Sequence, residues 1–168
     1  MICRNCKKKS FDKISNIGKQ PISSLFLKKK VQIKNYSLDL YKCNHCDLVQ
    51  LSKIPNLKDM YGVDYGYKTS VSKLMVDHLK KKISKLNRFG IFKKKSKILD
   101  IGSNDGTFLN FFSKFKNKHE LFGIDPSASA FIENYNKKIN VIIDFFNKKN
   151  VRKHFIDKKI KFSLITSY

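Results

Sequence analysis

Two Cys-x2-Cys pairs, Cys3-Arg4-Asn5-Cys6 and Cys43-Asn44-His45-Cys46, hold every cysteine in the chain, because its composition includes only four. Two thiolates from each tight turn complete a tetrahedral sulfur shell that leaves no position for water. The same cysteines could in principle pair as disulfides. No run of about 18 apolar residues is present, and an apolar signal-peptide core is missing from the N-terminus, so neither membrane insertion nor secretion is indicated. The expected compartment is the cytoplasm, where thiols stay reduced and a metal site is the better reading. Cys3, Cys6, Cys43 and Cys46 are therefore candidate ligands of one structural zinc. His45, inside the second pair, reads as a bystander or a sulfur hydrogen-bond partner.

Residues 1–60 form the first predicted domain, a small β-rich zinc-binding module. Tyr36 to Tyr41 and Leu48 to Leu51 alternate apolar and polar residues as strands do. Ile17 to Phe26 reads as a turn-rich stretch. So short a segment buries too little apolar surface to stand alone, and a metal joining its two ends supplies the missing stability.

Residues 61–95 are an aromatic loop and a connecting helix. Met60 to Tyr67 is rich in tyrosine and interrupted by glycine. Ser70 or Ser72 can cap the helix. Val71, Leu74, Met75, Val76, His78, Leu79, Ile83 and Leu86 recur at helical spacing, with Gly90 as a left-handed stop. This spacing makes His78 an interface or core residue.

Residues 96–168 alternate strand and helix. Strands are expected at 97–101, 121–124, 141–143 and 162–167, with helices at 106–115, 127–136 and 151–156. Such alternation predicts a parallel sheet. A doubly wound sheet needs strands on both sides of its switch point, so the domain reads as incomplete, truncated at its C-terminal end. The fold class is α/β: a small β-rich zinc-binding module followed by an incomplete Rossmann-like parallel sheet.

Three features of this sheet point to a nucleotide cofactor. Asp100-Ile101-Gly102-Ser103-Asn104-Asp105-Gly106 is a glycine loop at a strand-to-helix turn, where backbone amides can approach a ligand. It fits neither the G-x-G-x-x-G nor the P-loop pattern. Asp125 follows the second strand, about twenty residues beyond that loop, where an acid can accept from both ribose hydroxyls. Asp144-Phe145-Phe146, after the third strand, offers a carboxylate and rings to an adenine. Loop, ribose acid and adenine pocket in that order indicate S-adenosylmethionine, with Asp100, Gly102, Asn104, Gly106, Asp125 and Asp144 as candidate cofactor residues.

The charge is less specific. Lys and Arg number 36 against 13 Asp and Glu, a net charge of +23. Arg4, Arg88 and Arg152 are the only arginines, whereas nucleic-acid readers favour arginine for bidentate contacts. Scattered lysine with abundant Asn, Ile and Phe is what an A/T-rich genome writes on an ordinary enzyme surface, so nucleic acid is not the expected partner.

Several runs together resemble one family. They are the two cysteine pairs, Gly18 to Ile22, Leu40 to Leu51, Asp64 to Ser72, Asp77-His78, Leu99 to Leu109 and Gly123 to Ser127. In this order they resemble the sugar C-methyltransferases, and the resemblance spans essentially the whole chain. It implies zinc on the four cysteines, a central S-adenosylmethionine domain and methylation of a ring carbon of a nucleotide-linked keto-deoxy-sugar. Tyr65 and Tyr67 are the candidate catalytic residues, in a lid that contacts cofactor and sugar. The family's Tyr-His-Glu-His segment, which carries the main base, has no counterpart here, so the chain alone is expected to be inactive, and a monomer. Two alternatives stay open: a zinc-ribbon RNA methyltransferase, and a non-catalytic zinc-binding fragment.

Overall fold

The computed structural model describes residues 1–23, 29–62, 65–90, 95–115 and 119–168. Leu25 and Phe26 of the expected turn-rich stretch, Val63 and Asp64 of the aromatic loop, and Lys93 and Lys94 lie outside the described residues. The chain divides into two compact units, Met1–Met60 and Tyr61–Tyr168.

The first unit is a three-stranded antiparallel sheet of order β1-β2-β3, with β1 at Phe11–Pro21, β2 at Asn35–Cys43 and β3 at Val49–Leu51. A short helix, α1 (Leu57–Met60), follows. β1 pairs from Phe11↔Cys43 to Pro21↔Asn35. The expected turn beginning at Ile17 is thus a strand as far as Pro21. Gly18, at φ 82°, sits in the register shift between Asn16 and Lys19, and its N–H donates to Asn16 Oδ1 at 2.6 Å. The turn-forming residues make a bulge, which bends the strand without ending it.

The second unit carries the parallel sheet. Its strands are β4 (Lys97–Ile101), β5 (Glu120–Ile124), β6 (Ile139–Ile142) and β7 (Leu164–Ser167), in the order β6-β5-β4-β7. Alternate residues feed opposite faces, as the period of two requires. Ile98 and Leu121 join Phe108, Leu109, Phe112, Leu79 and Ile83 on one face. Leu99, Phe122 and Ile124 meet Phe155 on the other. A sheet apolar on both faces and covered on both is what short, continuous apolar strands imply.

The covering helices are shorter than their sequence pattern. α2 (Lys73–Arg88) begins where Ser72 Oγ accepts from the Met75 N–H, and it ends before Gly90 at φ 73°. Only part of its apolar set reaches the core. Leu79 and Ile83 are buried, and Met75 and Leu86 pack beside them. Val71 and Leu74 are 78% and 84% exposed, and His78 is exposed rather than in the core. Val71 belongs to the separate 3-10 turn Thr69–Val71, and the single strip of α2 that meets the core cannot hold Leu74 as well. α3 spans only Thr107–Phe112. The expected helix at 127–136 is a 3-10 segment, Ala128–Asn134, broken at Phe131. The expected helix at 151–156 is a π turn, Arg152–Ile156, continuing α4 (Lys148–Val151).

Candidate functional site

The two cysteine pairs close on each other because β1 and β2 bring their ends together. Cys3 Sγ lies 3.6 Å from Cys46 Sγ and Cys6 Sγ 3.5 Å from Cys43 Sγ, with all four sulfurs within 4.8 Å of one another. Zn–S bonds of about 2.3 Å in a tetrahedron put sulfurs about 3.8 Å apart. The spacing and the all-thiol donor set fit zinc. Cys3 and Cys43 are fully buried.

The two turns share one plan. Cys3 N–H donates to Lys8 O and Lys7 N–H to Cys3 O, while Cys43 N–H donates to Leu48 O and Asp47 N–H to Cys43 O. Lys7 and Asp47, at φ 63° and 58°, take the left-handed position that closes each turn. The N–H groups of Lys8 and Leu48 point at the sulfurs of Cys6 and Cys46. Leu48 N–H, against burial, holds the Cys46 thiol down at about 6. At Cys6 the matching N–H of Lys8 is outweighed by burial and the neighbouring thiols, and the group is pushed up to about 12. His45 is exposed and stands outside the ligand cluster.

In the second unit, the chain passes from β4 to β5 to β6 on one side and then returns to place β7 on the other side of β4. That reversal sets the topological switch point at the carboxyl ends of β4 and β7, the place where open parallel sheets bind ligands. The glycine loop leaves β4 there. Gly102 N–H donates to Ile124 O at 2.9 Å, and a Cβ at Gly102 meets nothing within 4 Å, so its outer face is open. Gly106 is closed: a Cβ there falls 2.6 Å from the Tyr135 ring. The Tyr135 hydroxyl donates to Asn104 O at 2.7 Å and lies 2.9 Å from Ser103 Oγ.

Asp100 is 3% exposed and accepts from Thr166 Oγ1 at 2.8 Å. Burial, only partly offset by that bond and reinforced by Asp125, pushes its carboxyl up to about 7. Asp125 follows β5 and is buried. Its Oδ2 accepts from Asn104 N–H at 2.9 Å, and its Oδ1 accepts from the Ser127 N–H at 2.7 Å and hydroxyl at 2.5 Å. A carboxylate oxygen offers two lone pairs, so Oδ2 retains an acceptor position. Asp144 follows β6, accepts from Phe145 N–H at 2.8 Å, and lines a cleft of about 510 Å³ with Phe122, Ile142 and His154.

The aromatic segment is tied to the glycine loop. Asn104 Nδ2 donates to Tyr67 O at 3.0 Å, and its Oδ1 accepts from Thr69 N–H at 3.0 Å and Thr69 Oγ1 at 3.1 Å. Asp105 Oδ2 accepts from Ser70 N–H at 2.9 Å. Burial opposes ionisation of Asp105, but bonds from Ser70 and Thr107 prevail and hold it below the usual carboxylate range. The rings of Tyr61, Tyr65 and Tyr67 follow one another at centroid spacings of 5.4 and 6.4 Å. Burial first, then Tyr61, Asp125 and Tyr67, raises the Tyr65 phenol. Tyr67 is 42% exposed.

Residues 3–61 match the family model Methyltransf_13, described as a "Putative zinc binding domain". The match covers all four cysteines and nearly the whole first unit, and it places the chain's N-terminal part in a methyltransferase-associated setting. No curated protein matches the chain.

Two sets of contacts beside the candidate sites carried no clear sequence signal. Gln50 is buried beside the second cysteine turn, where its Oε1 accepts from Arg4 N–H at 3.0 Å and its Nε2 donates to Ile2 O at 3.3 Å. Its neighbour Val49 is 50% exposed, so the apolar alternation there reads inverted. The other is the Asn104 and Asp105 contact with residues 67–70, whose partners lie far apart in sequence.

Proposed function

We propose that this chain is the N-terminal part of an S-adenosylmethionine-dependent C-methyltransferase acting on a nucleotide-linked keto-deoxy-sugar. The observation that carries the reading is the joining, in one chain, of a four-cysteine module of methyltransferase-associated type to a parallel sheet with an open glycine loop at its switch point and a buried acid, Asp125, at the end of the next strand. Gly102 leaves room for the methionine end of the cofactor. Asp125 accepts from the ribose, Asp144 flanks the adenine, and Asp100 underlies the loop. The cofactor, when bound, supplies an electrophilic methyl group.

Methylating a carbon beside a ketone requires loss of its proton and stabilisation of the resulting oxyanion. Tyr65, raised above the ordinary phenol value, stays protonated at neutral pH. Its role is therefore to donate a hydrogen bond to the developing oxyanion, with Tyr67 beside it as the more exposed lid residue. The main base belongs to the Tyr-His-Glu-His segment that the resemblance places farther along the protein. The zinc is structural, since its shell is all thiolate.

The net charge of +23 favours a second reading, an RNA methyltransferase. Transfer of a labelled methyl group by the protein encoded by the whole gene, offered nucleotide keto-deoxy-sugars and RNA in parallel, separates the two. The proposal expects label in the sugar and RNA binding that is weak, indifferent to sequence and lost near about 0.2 M salt. Label in RNA alone overturns it.

A further inference from the structure

Asn104 stands in the left-handed region at φ 49°, in the turn between β4 and α3. Its backbone is held from both sides, by Asp125 Oδ2 at the N–H and the Tyr135 hydroxyl at the carbonyl. Its side chain makes three contacts, all to Tyr67 and Thr69, and uses the amide as donor and acceptor at once. A residue recruited to grip a cofactor would leave its side chain turned toward the open face at Gly102. Asn104 instead binds the segment that carries Tyr65 and Tyr67, with Asp105 holding Ser70 next to it.

We propose that Asn104 is a positioning residue that latches the Tyr65–Ser70 segment to the glycine loop, so that ordering of the aromatic segment and occupation of the space beside Gly102 and Asp125 are one equilibrium. This rests on the cofactor reading above. The link is physical: Asn104 N–H reports on Asp125, its side chain on Tyr67 and Thr69, and Tyr65 feels the Asp125 charge. A ligand that fixes Asp125 fixes the loop and, through Asn104, the tyrosines. Coupling of this kind is reciprocal.

Asn104→Gly isolates the side chain. Glycine accepts the left-handed conformation without strain, and both backbone bonds survive, so the variant keeps the fold. In the ligand-free protein, residue-resolved amide exchange should show Thr69 exchanging about fivefold faster in Asn104→Gly, the scale of one lost hydrogen bond of about 1 kcal/mol, with β4 and β5 amides unchanged. Asn104→Asp keeps the acceptor for Thr69 and should restore part of that protection. S-adenosylhomocysteine should slow Thr69 exchange in the wild-type protein and bind Asn104→Gly less tightly.

Unchanged Thr69 exchange in Asn104→Gly overturns the latch, and if affinity for S-adenosylhomocysteine falls all the same, Asn104 is a direct ligand instead. A wild-type protein that ignores S-adenosylhomocysteine overturns the coupling and the cofactor reading together, while the ligand-free exchange still decides the latch on its own.

Discussion

Asp100 shows how one residue can be legible in kind and hidden in state. Its place in the glycine loop follows from the sequence, but its protonation depends on burial and on Thr166, a residue of the far strand β7. An unfolded aspartate titrates near 3.9, whereas Asp100 is raised to about 7. Between roughly pH 4 and 7 the folded chain keeps a proton the unfolded chain has lost, so this group makes stability fall as pH rises through that window. The loss levels off above it, at up to about 4 kcal/mol from the same relation. Asp100→Asn should flatten the decline, checked by urea unfolding at a series of pH values. An undiminished slope would assign the pH dependence elsewhere. Asn104 was expected beside a cofactor, yet its side chain is spent on Tyr67 and Thr69, and Gln50 escaped sequence reasoning altogether; as with Thr166, these partners, residues 67–69 and residues 2 and 4, are brought near only by the fold.

Elements proved easier to place than their buried faces. Strands β4, β5 and β7 follow from short apolar runs between glycine and lysine breaks, and β4 has the expected bounds, 97–101. α2 was legible from its spacing, yet the same spacing marked more residues than one helix face can bury. Leu79 is 2% exposed and Leu74 84%. Leu79→Ala should cost about 2–5 kcal/mol, the range for a cavity in a packed core, while Leu74→Ala should change stability by less than about 0.5 kcal/mol. Chemical denaturation of both variants checks this, and equal losses would place Leu74 in a core the structure does not give it. The helix after β5 differs in type from the expectation: Ala128–Asn134 is a 3-10 segment with non-helical backbone at Phe131 (φ -129°, ψ 15°), although neither proline nor glycine lies within it.

At the scale of the whole molecule, two units carry two different sources of stability. The first has a thin sheet and, among the described residues, buries only Cys3, Cys43 and Gln50, so its folding is expected to be tied to metal. Cys43→Ser should release zinc and unfold residues 1–60, leaving the parallel sheet intact. Zinc assay together with amide exchange across both units reads this directly, and a variant with full zinc and a protected β1 and β2 would contradict it. The second unit has a two-sided apolar core and its own site. The positions of its glycine loop and of Asp125 were legible because each lies at a strand end, where a turn residue interrupts an apolar run; after β6 it is Asp144, not Phe145 or Phe146, that lines the cleft. In the proposed function this sheet holds S-adenosylmethionine through Gly102 and Asp125. Calorimetric titration of S-adenosylhomocysteine into the protein encoded by the whole gene and into its Asp125→Ala variant tests that claim. The account predicts saturable one-to-one binding weakened in the variant by about 1–3 kcal/mol, the scale of hydrogen bonds to a charged group; equal affinity in both proteins, or no binding in either, would contradict it.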